Sequence, residues 1–367
     1  LEGLEMTAPF GGAFSGRRVL VTGHTGFKGS WLSLWLDVLG AKVTGYALAP
    51  DATQSLFAQL ALPLLVDSRL GDVRDADRLA DVVRETRPEI VFHLAAQPLV
   101  RASYERPAET FAVNAGGTAN LLDAVRRVDS VRACVVVTSD KCYENREDGK
   151  AFRETDRLGG RDPYSASKAC AELVVASYRD SFFRDEGRVS LSSARAGNVI
   201  GGGDMAADRL VPDLARALSA GRPAAVRNPR SVRPWQHVLD PVRGYLTLAA
   251  RQLQEPAAFA EAWNFGPGAG NDLSAGQVAD LVVRAWGSGR WTDASDPQAP
   301  REAQVLRLDS AKARVRLGWR AAWTTEEAVA RAVAWYRAAA EKRFDAVAFT
   351  RRQIAEHMTA LEAGSPR

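Results

Sequence analysis

Tyr164 and Lys168 stand four residues apart in Pro163-Tyr164-Ser165-Ala166-Ser167-Lys168, a spacing that puts both on one face of a helix. A phenol with a reference pKa of about 10 is a poor base at neutral pH, and an ammonium beside it favours the phenolate. The lysine therefore makes the tyrosine usable as an acid/base group. Ser139 closes the apolar run Val135-Val136-Val137-Thr138-Ser139, where its hydroxyl is suited to hydrogen-bond the reacting oxygen beside that phenol. A second chemistry-bearing stretch is Gly23-His24-Thr25-Gly26-Phe27-Lys28-Gly29, a G-x-x-G-x-x-G turn directly after Arg18-Val19-Leu20-Val21-Thr22. Glycines there let the backbone approach a pyrophosphate, whose charge sits at the positive end of the helix beyond the turn. Together the two stretches point to hydride transfer with a nicotinamide dinucleotide.

Positioning these groups requires a frame, and the hydrophobic pattern supplies one. From Arg17 short β-branched runs alternate with amphipathic stretches, predicting strands at 18–22, 42–47, 64–70, 90–95, 134–139 and 189–194. Helices are predicted at 30–39, 75–85, 107–127 and 163–183. This alternation predicts an α/β fold, a Rossmann-type doubly wound parallel sheet over residues 17–200. Residues 201–367 read as mainly a smaller mixed α/β substrate domain, with some chain returning to the first domain. Its elements are helices at 208–218 and 241–252 and strands at 224–227 and 263–266. Residues 288–301 are the most linker-like, 1–16 read as a flexible tail, and 326–361 as a charged helical surface that packs or faces an oligomer partner.

Composition narrows the partners. The 48 Lys and Arg against 44 Asp and Glu leave +4, spread without runs, so no nucleic acid is implied. Cys134, Cys142 and Cys170 lack metal-ligand spacing and the 4 histidines are scattered, so no metal site is expected. No apolar run reaches the roughly 20 residues that span a bilayer, and the expectation is a cytoplasmic enzyme with no membrane partner.

Around the glycine turn, Val43-Thr44-Gly45-Tyr46-Ala47-Leu48 ends without the carboxylate that would hold the adenosine ribose, and Asp51 comes late. No arginine sits there for a 2′-phosphate, while Lys28 suits such a phosphate, a pyrophosphate or solvent. NAD is favoured over NADP. Asp72, before Val73, is placed to accept from an adenine amino group or to cap its own loop. Leu94-Ala95-Ala96 offers small residues at the end of a strand, for a passing cofactor or a tight turn.

These motifs resemble the extended short-chain dehydrogenase/reductase superfamily, from about Arg17 to at least Pro267. The resemblance implies NAD held by Gly23, Thr25, Gly26, Phe27, Asp72, Val73, Leu94, Ala95, Ala96, Tyr164, Lys168 and Arg195, the last on the nicotinamide side. It also implies that Ser139, Tyr164 and Lys168 act on a sugar hydroxyl. Sugar 4-epimerases of this superfamily need no further acid or base after the serine, whereas 4,6-dehydratases carry an acidic pair; this chain has Asp140-Lys141. The strings Thr138-Ser139-Asp140-Lys141-Cys142-Tyr143, Arg195-Ala196-Gly197-Asn198-Val199-Ile200-Gly201-Gly202-Gly203-Asp204 and Arg233-Pro234-Trp235-Gln236-His237-Val238 are similar to the 4,6-dehydratases that act on CDP-glucose.

Similarity to those enzymes implies a redox-neutral lyase. C4 is oxidised through Tyr164, the C5 proton is lost, Asp140 protonates the departing C6 hydroxyl, and hydride returns to C6. Burial beside the substrate would keep Asp140 protonated. Lys141 replaces the glutamate base of the dTDP-glucose relatives, and an ammonium cannot accept a proton. Either burial depresses it or it acts electrostatically, with Tyr143, Glu144 or water left to take the proton. The resemblance further assigns Asn198, Arg209, Leu210, Arg227, Asn228 and Arg233 to CDP-glucose or a similar nucleotide sugar, the arginine fork suiting phosphate. Trp235 reads as core or pocket wall and His237 as packed. The helices at 107–127 and 163–183 are those this superfamily pairs, implying a homodimer or homotetramer.

Overall fold

The computed structural model describes residues 9–50, 54–184, 188–268, 270–298, 303–341 and 343–363. Six strands, β1 (Arg18–Thr22), β2 (Lys42–Ala47), β3 (Asp67–Leu70), β4 (Ile90–His93), β5 (Ala133–Val137) and β6 (Ser190–Ala196), form one sheet with the edge strand Ala262–Phe265. Their order is Ala262–Phe265, β6, β5, β4, β1, β2, β3, and every pair is parallel. This is the doubly wound Rossmann arrangement. Alternate side chains leave opposite faces: Val19, Val21, Val135 and Val137 enter one apolar core, and Leu20, Cys134 and Val136 the other. Both faces are covered by helices, which explains why these strands read as unbroken apolar runs.

Several boundaries shift, each for a local reason. β3 begins at Asp67 because Leu62–Leu64 form a 3₁₀ turn after Ala61, whose φ is 46°. β5 ends at Val137, two residues early; the Thr138 N–H still donates to the Ala194 carbonyl of β6 at 3.0 Å, and Ser139 turns away to cap the next element. The first helix starts at Phe27, so Phe27 and Lys28 belong to its first turn and not to the preceding loop. The helices at 107–127 and 163–183 each contain a π-helical turn, Ala112–Gly116 and Arg179–Phe183.

Two expectations are overturned. The part of the amino-terminal segment that is described is not a loose tail: Phe14 is 1% exposed, and its ring packs on Phe10 and Phe92 at centroid distances of 5.7 and 6.5 Å. Residues 1–8 lie outside the described residues. The linker-like stretch contains Trp291–Asp293, which pairs in parallel with Ala224–Val226; 299–302 lie outside the described residues. The carboxy-terminal helices Thr325–Ala339 and Ala346–Ala363 pack, burying Val333, Trp335 and Ile354. No helix among the described residues is long and apolar enough to cross a membrane.

The turn after β1 is a close approach of backbone to backbone. Gly23 has φ +77°, and a Cβ there would lie 2.6 Å from the Ala95 nitrogen. A Cβ on Gly29 would lie 2.0 Å from the Gly23 carbonyl oxygen. Helix and turn therefore touch only through glycine. Gly29→Ala is expected to lower folding stability by about 1–3 kcal/mol and to abolish dinucleotide retention, measured by thermal unfolding and by cofactor content after gel filtration.

Candidate active site

Two clefts meet at the carboxy-terminal edge of the sheet, as parallel α/β folds require. The first runs over Gly23, Thr25, Gly26 and Phe27, past Asp72 and Val73, and along Leu94, Ala95 and Ala96 to Tyr164 and Lys168. Asp51 lies outside the described residues. Asp72 borders the cleft and also caps its loop: its carboxylate accepts from the Arg74 backbone N–H at 2.8 Å and from its guanidinium at 2.6 Å. These bonds hold the carboxyl below its ordinary range. Thr25 is turned to the end of β2, donating to the Leu48 carbonyl at 2.9 Å.

The second cleft is lined by Ser139, Asp140, Lys141, Asn198, Leu210, Asn228 and the arginines Arg209, Arg227 and Arg233. Phe27, Lys28, Pro98, Thr138, Tyr164 and Arg209 border both. The clefts thus join at the tyrosine. Arg209 pairs with Asp204 at 2.8 Å and Arg227 with Asp208. Arg233 is buried, its guanidinium donating to the carbonyls of Val232 and Gln304 at 2.8 and 3.1 Å. Trp235 lines the wall of this cleft, whereas His237 is fully buried between Trp31 and Trp323.

At the junction the chain leaves β5 and turns. Ser139 caps the short 3₁₀ turn Asp140–Cys142, accepting from the Lys141 backbone N–H at 3.2 Å while its hydroxyl donates to Asp140 Oδ1 at 3.0 Å. Asp140 is 2% exposed, and its Oδ2 has no hydrogen-bond partner among the described residues. Burial pushes this carboxyl up, against the pull of Lys141, the Ser139 hydroxyl, Arg233 and Lys28. Burial pushes the Tyr164 phenol up to about 12, opposed by a hydrogen bond with Ser139. Lys168 is pushed down to about 8 by burial, opposed by Glu172. An acid with a free oxygen and an ammonium, both buried, therefore flank the phenol at which the two clefts join.

Three placements differ from the sequence reading. Arg195 borders neither cleft: it is 3% exposed behind β5, paired with Glu172 at 2.7 Å, with its guanidinium over the Tyr143 ring at 4.9 Å. It belongs to the support of the site and not to the nicotinamide face. Tyr143 is also behind the site, its hydroxyl donating to Asn264 Oδ1 at 2.7 Å. Glu144 pairs with Arg157 at 3.2 Å and borders neither cleft. Neither of these two is placed to take a substrate proton. The residues missed are Thr138, Glu172 and Asp204. Only Glu172 left a sequence signal, one helical turn beyond Lys168.

A parallel sheet of order 3-2-1-4-5-6 with a Ser, Tyr and Lys at the joint of two clefts defines a short-chain dehydrogenase/reductase fold. The chain belongs to the GDP-mannose 4,6-dehydratase family, whose model matches residues 20–332. It is 47% identical over 351 residues to the CDP-glucose 4,6-dehydratase of Salmonella typhimurium, covering 95% of this chain and 98% of that protein. Among solved structures it superposes on a dTDP-glucose 4,6-dehydratase from Streptomyces venezuelae with NAD and TYD bound. There the TM-score is 0.73 and the identity 25%, covering 87% of this chain and 97% of that one. A UDP-glucose 4-epimerase from Thermus thermophilus with NAD gives 0.74 and 27%, covering 87% and 99%.

The buried Arg195 yields a stability prediction. Arg195→Ala strands the Glu172 carboxylate in the core and is expected to cost about 3–5 kcal/mol of unfolding free energy, measured by urea titration.

Proposed function

We infer that this chain is an NAD-dependent lyase that converts CDP-glucose to CDP-4-dehydro-6-deoxyglucose and water. The observation that carries this reading is Asp140: a buried carboxyl held toward its neutral form, with Oδ2 unpartnered, beside Tyr164 and in the substrate cleft. An epimerase has no water to expel and no use for that acid. The dinucleotide suits the glycine turn, whose close backbone packing a Cβ on Gly23 or Gly29 would break, and Ala47 and Leu48, which bring the end of β2 to the cleft, carry no charge for a 2′-phosphate. When bound, NAD supplies the electron sink, accepting hydride from C4 of the sugar and giving it back to C6.

The chain's own residues manage the protons. Lys168 and Ser139 stabilise the Tyr164 phenolate, which takes the proton of the C4 hydroxyl as C4 becomes a ketone. That ketone acidifies the C5 hydrogen, whose proton passes to water in the cleft, and a proton returns to C5 when hydride reaches C6. Asp140 gives its proton to the C6 hydroxyl, the C6–O bond breaks, and water leaves as the C5=C6 bond forms. Lys141, facing the same cleft, offsets the negative charge that builds on the C4 oxygen as C5 loses its proton. Arg209, Arg227, Arg233 and Asn198 suit the substrate diphosphate, with Leu210 and Asn228 framing the base.

The working form we propose is a cytoplasmic homodimer or homotetramer paired through the helices at 107–127 and 163–183. Phe111, Leu173 and Phe182 are exposed at 36, 59 and 46% on those helices, which supports that choice of face.

Incubation with CDP-glucose and NAD should yield a 6-deoxy-4-keto product, read as its ultraviolet chromophore in base. Interconverted hexoses alone would sink the reading. Asp140→Asn should lower product formation by about 10²–10⁴-fold while bound reduced cofactor still accumulates, and wild-type dehydration in that variant would place the acid elsewhere.

A further inference from the structure

Behind the reacting groups lies a second constellation that meets the ligand clefts only at Thr138. Tyr164, Lys168 and Glu172 succeed one another at four-residue steps along one face of the helix Pro163–Tyr178. Tyr164 and Lys168 reach the clefts, whereas Glu172 points back between β5 and β6 and is 3% exposed. Its Oε1 accepts from the Thr138 hydroxyl. Its Oε2 accepts from the Ser193 hydroxyl and from Arg195 Nη2, each at 2.7 Å. Arg195 Nη1 in turn donates to the Tyr143 hydroxyl at 2.7 Å and to the Glu154 carbonyl at 3.2 Å. The carboxylate is thus bonded on both oxygens, and the bonds cross from the helix to the end of β5, to β6 and to the segment after Asp140.

Lys168, by contrast, is poorly held. Its ammonium has one long contact, to the Val137 carbonyl at 3.5 Å. The groups facing it are Tyr164 and Glu172 from its own helix, Cys142 from the turn after β5, His93 from β4 and Lys28 from the first turn of the helix Phe27–Val38. His93 is kept neutral by burial, which pushes it down to about 3, and burial keeps the Cys142 thiol protonated. Lys28 is a like charge. Glu172 is the one carboxylate among these groups.

We propose that Glu172 is a positioning residue for the reaction: it supplies the negative charge that faces Lys168, and through Thr138 it fixes the strand end from which Ser139 and Asp140 project. Arg195 is its clamp. The same pair therefore serves two demands, a charged lysine under the tyrosine and a fixed backbone under the acid. Because the carboxylate is saturated by three donors, it keeps its charge and its place through the reaction. The inference rests on the dehydratase reading for its kinetic consequence, though not for the titration of Lys168 itself.

Two measurements test it. In the protein without substrate, the Lys168 side-chain ¹³Cε shift, assigned by its loss in Lys168→Met, reports the titration directly. Glu172→Gln is expected to move that midpoint down by at least about one pH unit from the wild-type value near 8. Glu172→Asp keeps the charge and should restore most of the midpoint. The paired change Glu172→Met with Arg195→Met leaves neither charge stranded and keeps the test open where Glu172→Gln does not fold; because the Arg195 cation goes too, a smaller downward shift is expected. In turnover, the alkaline limb of the burst of reduced cofactor should fall to lower pH in step with the midpoint, with KM for the sugar nucleotide unchanged. An unmoved midpoint in Glu172→Gln or in the paired variant overturns the proposal, whatever happens to stability. A moved midpoint in an enzyme that turns over no nucleotide hexose overturns the dehydratase reading instead.

Discussion

Water exclusion at the end of β5 is the condition on which the whole site depends. Asp140 serves as an acid only with its proton on, and burial is what raises its carboxyl, against Lys141, the Ser139 hydroxyl, Arg233 and Lys28. The same dryness works against Lys168 and Tyr164, lowering the ammonium and raising the phenol. One physical effect therefore helps the acid and hinders the base. The fold resolves the conflict by direction: a hydroxyl, Ser139, touches both the acid and the phenol, while compensating charge is delivered to the lysine from behind the sheet.

That arrangement explains why β5 stops where it does. A strand continued past Ser139 would commit its backbone to the ladder and send Asp140 back to the face of Thr138. Thr138 keeps a last bond to the sheet and faces Glu172, the extended Ser139 faces Tyr164, and the 3₁₀ turn that follows carries Asp140 round to the cleft. The short irregular segment is the device that sorts three consecutive polar residues into support, hydrogen bonding and acid.

Legible in the sequence is whatever is encoded within one turn or one strand. The glycine spacing, the Tyr164 to Lys168 step and the serine after an apolar run each specify local geometry, and each group stands at the clefts. Arg195 escapes such reading because a residue at the end of a strand beside the site has two directions open to it, and Glu172, 23 positions earlier, decides between them. Phe14 and the strand Trp291–Asp293 escape it for the same reason: their partners, Phe92 and Ala224–Val226, are remote in sequence. Propensity has no access to such pairings.

Lys28 shows how the two clefts are joined electrically. It sits on the first helical turn, borders both clefts, and among the described residues has no hydrogen-bond or ion-pair partner. Burial, Lys168 and Arg209 push it down to about 7, against the opposing pull of Asp140 and Asp204. An anion seated at that joint favours the charged form and draws a proton with it, because charge stabilisation and proton affinity are two sides of one linkage. Asp140 feels the result, since Lys28 is among the groups that pull its carboxyl down. The negative charge of that anion opposes the pull, because it disfavours a second anion at Asp140.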